Sequence, residues 1–229
     1  MIYFRLRINA EEWRKLMEKL LEQLTRIDAV SGFEFRGNRE LASVFGRFLG
    51  EVKTDANGNV YGFLRCGREN APLVMLEAHL DIIGLMVKDI DERGFVSVVA
   101  IGGVDPRILA GAEVMIHGKK DIYGVLGVKP PHILTDQEMK AGLELSGLAV
   151  DTGLTKEELE PLVAIGTPVQ ICTPHRKIGG DKFCGAGLDD RAGVAAILAS
   201  AQMLARTNLR FDICVLAAGT EETGRYGAQ

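Results

Sequence analysis

Three short polar clusters, His79-Leu80-Asp81, Asp189-Asp190-Arg191 and Glu221-Glu222, end strongly apolar runs or fall in the loops just beyond them. Such runs read as buried strands, so the chain has to carry carboxylates and an imidazole at the margin of its own core. That arrangement costs free energy unless a charged group organises it, and a metal ion does so well. The requirement points to an open α/β sheet, in which polar sites collect just past the strand ends. The third cluster lies close to Gln229, so the sequence is expected to end inside its own site machinery.

With 229 residues, 47% of them hydrophobic, there is enough apolar material for one large domain or two modest ones. A formal net charge of -4 gives no electrostatic reason to expect nucleic acid or an anionic membrane as partner. No apolar run reaches the length of a membrane span. Met1 to Asn9 lacks a long apolar centre and a small-residue cleavage site, and reads as mature protein or an N-terminal extension rather than a signal peptide. Cys66, Cys172, Cys184 and Cys214 are dispersed, which suits reduced thiols in a cytoplasmic protein.

Trp13, Leu16, Met17, Leu20, Leu21, Leu24 and Ile27 recur at helical spacing, and Ser31-Gly32 ends that helix. A second helix carries Leu41, Val44, Phe45, Phe48 and Leu49 on one face. Asp55 to Asn59 is a turn, because Asn-Gly tolerates the positive φ that tight turns need. Val60 to Leu64 then forms one strand of a hairpin, and Pro72 to Ala78 is expected as a central strand. From Ile82 to Ile171 the texture changes to short β-like pieces, Gly84–Val87, Phe95–Ala100, Glu113–His117, Gly124–Val128 and Pro168–Ile171, separated by Gly- and Pro-rich turns. Thr155 to Glu160 is a short helix opened by a capping box of Thr155 and Glu158. Many short strands with frequent turns indicate a small β-barrel inserted into the α/β domain. The apolar strand-and-helix texture returns near Gly185, with a helix over Arg191 to Leu204 and a buried strand over Phe211 to Ala217.

Each cluster alone has an ordinary explanation. H-x-D at a strand end is often a satisfied polar pair, although strand alternation would let Asp81 orient the His79 imidazole. An Asp pair before a helix serves as an N-cap. Two adjacent glutamates, Glu221 and Glu222, can form a solvated loop pair, yet they repel unless one is protonated or a cation is near. Gly185-Ala186-Gly187 lacks the residues of a phosphate loop and reads as a turn, and Cys184 reads as a buried thiol. Taken together, one His, one Asp and one Glu at three strand ends match first-row metal ligation. A second Glu supplies what a metal-bound water needs as general base.

The stretch Glu77 to Val87 resembles the first metal motif of the glutamyl or deblocking aminopeptidases, the family that includes the tetrahedral enzymes. Gly187 to Gly193 resembles the second and Thr220 to Ala228 the third. Gly102 to Arg107, Gly127 to His132 and Asp151 to Gly153 also resemble family stretches, in order. The resemblance implies two divalent ions, zinc or cobalt, with His79 on one, Asp189 bridging both and Glu222 on the second. It implies Glu221 as general base and Asp81 as the group orienting His79. Ile82 stands where family members usually carry Glu, and the Asp and His that complete the family's sites would lie downstream of Gln229. His117, His132 and His175 offer no obvious substitutes: His132 falls in the β insertion, and the other two are expected on the surface or in loops. The ions are therefore expected to be absent or only partly retained by this chain.

The expected fold is an α/β/α aminopeptidase-like catalytic domain over residues 1–82 and 172–229, interrupted by a β-barrel over 83–171 that the resemblance links to assembly into homo-oligomers. The expected function is removal of N-terminal residues from peptides by a two-metal activated water. The alternative is a catalytically incomplete member acting as an assembly or peptide-binding module. A glycosidase or endoglucanase using Glu221 and Glu222 is disfavoured, because adjacent carboxylates rarely flank a glycosidic bond.

Overall fold

The computed structural model describes residues 9–133, 135 and 142–229, so the N-terminal reading over residues 1–8 falls outside the described residues. The chain divides into two compact units, one running up to Ile82 and resuming at Pro174–Gln229, the other Ile83–Thr173.

In the first unit, α1 (Ala10–Leu24) is opened by a capping box in which Asn9 accepts the Glu12 amide and Glu12 accepts the Asn9 amide. Its apolar stripe buries Leu20, Leu21 and Leu24. The helix α2 (Asn38–Phe45) buries Leu41, Val44 and Phe45. Three strands follow, β1 (Gly50–Thr54), β2 (Val60–Leu64) and β3 (Leu73–His79).

The second unit is a closed barrel interrupting this sheet in sequence. It contains β4 (Gly84–Ile90), β5 (Val96–Ile101), β6 (Glu113–His117), β7 (Asp121–Val128), β8 (Leu148–Asp151) and β9 (Pro168–Ile171), with the short helix α3 (Lys156–Leu159) between the last two strands. The strand order around the barrel is β4-β5-β8-β7-β6-β9. Inward residues such as Leu85, Val87, Val114, Ile116, Leu126, Val150 and Val169 fill its interior. Along β7 burial alternates with the pleat, placing Ile122 and Leu126 inside and Tyr123 and Val125 outside. The capping box at α3 forms as its sequence indicates: Thr155 accepts the Glu158 amide and Glu158 accepts that of Thr155.

Back in the first unit come the hairpin β10 (Arg176–Ile178) and β11 (Lys182–Cys184), the helix α4 (Leu188–Leu204) and the strand β12 (Asp212–Ala218). The main sheet has the order β1-β2-β12-β3. β12 runs antiparallel to β2 and parallel to β3, with Ala218 opposite His79. Leu20 and Leu24, Leu41 and Phe45, and Val194 and Leu198 pack on the sheet face carrying Val60, Ala78, Ile213, Val215 and Ala217.

One expectation changes. The apolar run at Pro72–Ala78 does not form a central strand: among the described residues β3 is an outer strand, and its Leu73, Val74 and Met75 are exposed. The interior positions belong to β2 and β12, each paired on both sides. Apolarity reports the capacity for burial, and both runs have it; which strand is flanked is settled by register and topology.

Candidate metal centre

Each of the three polar clusters is delivered by a different local device. β3 ends at His79, so Asp81 is not a partner on the same strand face. It turns inward, fully buried, and accepts the backbone amides of Glu221 and Glu222 at 3.0 and 3.1 Å. Burial alone would raise the Asp81 pKa. Hydrogen bonds from His79 and Ser31 and the two amides outweigh it and hold the carboxyl below its ordinary value. His79 is fixed through Nδ1, 3.1 Å from the backbone oxygen of Asp81 and 3.6 Å from its carboxylate. The Asp81 carboxylate beside it raises the imidazole pKa to about 9, against the opposing effect of burial.

The Asp pair splits its work. The N-terminal cap expected of such a pair is made by Asp190, whose carboxylate accepts the Gly193 amide at 3.0 Å. Asp189 and Asp190 have non-helical backbone angles and are joined by a cis peptide bond, while the preceding Gly187 adopts a left-handed conformation at φ 64°. The Asp189 side chain is 94% exposed, with its Oδ1 3.2 Å from His79 Nε2. Arg191, fully buried, donates from Nε to the Leu80 carbonyl at 3.0 Å and from Nη1 to the Leu24 carbonyl at 2.7 Å. Desolvation lowers its pKa to about 10.

Beyond β12, Glu221 Oε2 lies 3.9 Å from His79 Nε2, and Glu221 Oε1 accepts from Arg225 Nε at 3.1 Å. Desolvation raises the Glu222 pKa. His79 opposes the rise, and the carboxylates of Asp81, Glu221 and Asp189 add to it. His79, Asp189 and Glu221 thus meet at one point with Glu222 in their field. A cleft of about 290 Å³ beside them is lined by Glu77, His79, Asp190, Glu221 and Arg225.

The other histidines sit elsewhere. His132 is exposed in a turn, and His175 stacks on Phe183 at 5.5 Å beside β10. His117 is not a surface residue: it is buried on β6, with Nδ1 2.9 Å from Asp121 and Nε2 3.1 Å from Gln170. An imidazole with two polar neighbours is readily buried, and a lone His in a strand carries no signal of which face it takes. Cys184 is half-buried rather than fully enclosed.

Residues 58–229 match the model of the M42 glutamyl aminopeptidases. The chain belongs to that family. This M42 chain is similar to the lysyl aminopeptidase of Pyrococcus furiosus, at 34% identity over 95% of its own length and 62% of the relative's. Among solved structures it is similar to an aminopeptidase of Desulfurococcus kamchatkensis (TM-score 0.84, 31% identity, covering 95% of this chain and 59% of that one). It is also similar to the TET1 peptidase of Pyrococcus horikoshii, described as assembling into a tetrahedron or a large octahedral shell (TM-score 0.80, 30% identity, 93% and 63% covered). The M42 chain therefore spans about three-fifths of the length of these relatives.

Groups that the sequence did not single out hold the third cluster in place. Glu34 accepts the Thr220 amide, Asn59 accepts the Gly219 amide and donates to the Gly227 carbonyl, and the Ser31 and Thr223 hydroxyls lie 2.9 Å apart. Ser31 and Asn59 lie in segments that read only as breaks and turns. The one trace of Glu34 is a carboxylate set between two aromatic residues, Phe33 and Phe35.

Proposed function

We propose that this protein is a metal-dependent aminopeptidase that removes N-terminal residues from peptides with two divalent ions, zinc or cobalt. The reading is carried by the approach of His79 Nε2 to Asp189 and Glu221 while its Nδ1 faces the Asp81 carbonyl and carboxylate. An imidazole with one nitrogen held by an oxygen acceptor and the other facing carboxylates has the arrangement of a metal ligand. The donor chemistry fits as well. Asp189 and Glu221 approach a single imidazole with Glu222 in their field, and their mutual repulsion is relieved by added positive charge.

His79 and Asp189 would hold one ion, Asp189 and Glu222 the other, so each ion draws two protein ligands from the residues described. When bound, the ions would polarise the scissile carbonyl and lower the pKa of the attacking water. Glu221 takes the water's proton at Oε2 and passes it to the leaving amine, a role worth about 10²–10⁴ in rate. Arg225, paired with Oε1, keeps the Glu221 carboxyl turned toward His79. Asp81 holds His79 on one side and the Glu221–Glu222 backbone on the other, keeping base and ligands in register.

The dispersed spacing of the cysteines supports a cytoplasmic location, and among the described residues no helix is long and apolar enough to cross a membrane. Tyr123 and Val125 on the outer face of β7 are apolar surface suited to contacts between copies, which supports a homo-oligomer built through the barrel. The activity test is hydrolysis of aminoacyl-p-nitroanilides by the zinc- or cobalt-supplemented protein. Glu221→Gln is expected to reduce turnover by about 10²–10⁴. Turnover indifferent to that substitution, or to chelation of the metal, would overturn the reading.

A further inference from the structure

The loop bearing Glu221 and Glu222 follows β12 and has an uncommon start: Thr220 takes φ 55°, a region that few non-glycine residues adopt. Its backbone amides are not left to water. Those of Glu221 and Glu222 go to Asp81, and the one before them goes to a second buried carboxylate. Glu34 Oε1 accepts the Thr220 amide at 2.7 Å and the Gly32 amide at 2.9 Å. Glu34 is 2% exposed, and 186 residues of sequence separate it from Thr220. Two glycines wall its side chain. A Cβ on Gly58 would come within 2.9 Å of the Glu34 Cβ, and one on Gly219 within 3.2 Å of its carboxyl carbon. A carboxylate placed at this depth, with its Oε1 spent on backbone amides, is costly unless the fixed position of the loop depends on it.

We propose that Glu34 is a positioning residue: by accepting the Thr220 amide it fixes the turn that aims Glu221 and Glu222 at His79 and Asp189. This rests on the reading of those residues as the metal-assisted site. Its own content is that an acceptor outside the three polar clusters sets the geometry of the third. What the geometry requires is an oxygen at the position of Oε1, not a charge. Glutamine keeps that oxygen, whereas aspartate is one methylene too short to reach Thr220 from the same backbone.

The test compares wild type, Glu34→Gln, Glu34→Asp and Glu34→Ala as full chains. One readout is Co(II) titration followed by its visible absorption, and the other is amide hydrogen exchange of the metal-free protein. Glu34→Ala and Glu34→Asp are expected to bind Co(II) about 10–100-fold more weakly, the range typical of groups that orient ligands. The Thr220, Glu221 and Glu222 amides should exchange at least about tenfold faster, with those of Val215 and Leu216 unchanged. Glu34→Gln should restore both. Aspartate keeps the charge and nearly the volume, so it decides the matter if the alanine variant does not fold. Wild-type Co(II) affinity and wild-type exchange in Glu34→Asp would overturn the proposal, as would a glutamine variant as impaired as alanine. If no protein in the series binds Co(II), the metal reading fails, and the exchange rates alone decide whether Glu34 fixes the loop.

Discussion

His79 Nε2 and Asp189 Oδ1 lie 3.2 Å apart although 110 residues separate them in sequence. The strand end that supplies the imidazole and the distorted start of α4 that supplies the carboxylate are brought together by Arg191. Its guanidinium bonds to carbonyls at the end of α1 and just past β3. Fold and candidate site thus share one buried side chain.

Arg191→Leu keeps much of the volume but leaves the Leu80 carbonyl without its side-chain donor and the Leu24 carbonyl with only the longer bond from the Ile27 amide. Each buried unsatisfied group costs about 1–3 kcal/mol, and removal of a buried charge offsets part of that. A net loss of about 1–3 kcal/mol in urea unfolding is expected. An unchanged midpoint would show that Arg191 does not tie these elements together.

In the metal-free protein His79 titrates near pH 9, above its ordinary 6.5. The folded state therefore binds this proton more tightly than the unfolded chain. The associated stability, about 3 kcal/mol, is fully present below pH 6.5 and is lost as pH rises toward 9. Melting curves of chelated protein should fall across that window, and those of His79→Gln should not. Because a ligating imidazole has to give up its proton, Co(II) affinity should rise over the same interval. A Co(II) affinity flat between pH 6.5 and 9 would contradict the protonated state of free His79.

Asp81→Asn keeps the shape of the side chain but replaces one acceptor oxygen with a donor that faces a backbone amide. One of the Glu221 and Glu222 amides loses its partner, at a cost of about 1–3 kcal/mol. Metal affinity should fall by about 10–100-fold. Denaturant melts and Co(II) titration read the two effects separately, and loss of stability without loss of affinity would limit Asp81 to a role in folding.

Gly187 adopts φ 64°, and a Cβ there would overlap Ile82 Cγ2. Gly187→Ala is expected to destabilise the protein by about 1–3 kcal/mol and to displace Asp189, so Co(II) affinity should drop together with the melting temperature. An alanine variant with wild-type values of both would mean that the start of α4 tolerates the strain locally.

Much of the architecture is legible in the chain because its signals are local. The heptad-like spacing from Trp13 to Leu24, the Asn57-Gly58 turn and the Thr155–Glu158 box each depend on neighbours a few residues away. What stayed hidden depends on distant partners. β3 and β12 are equally apolar, and only the ladder to β2 makes β12 the flanked strand. His117 gives no sign of its burial, because its neighbour Gln170 lies on another strand. The three polar clusters stood out because charge beside apolar runs is rare. Glu34 did not, since its partner is a backbone amide and amides have no sequence signature.

On the proposed function, His79, Asp189 and Glu222 form one site for divalent cations. Calorimetric titration of the chelated chain with zinc, repeated on His79→Ala, Asp189→Asn and Glu222→Gln, tests it most directly. Wild type is expected to bind saturably, with Asp189→Asn weakening both ions and each of the other two variants weakening one. Binding that survives all three substitutions unchanged would contradict it.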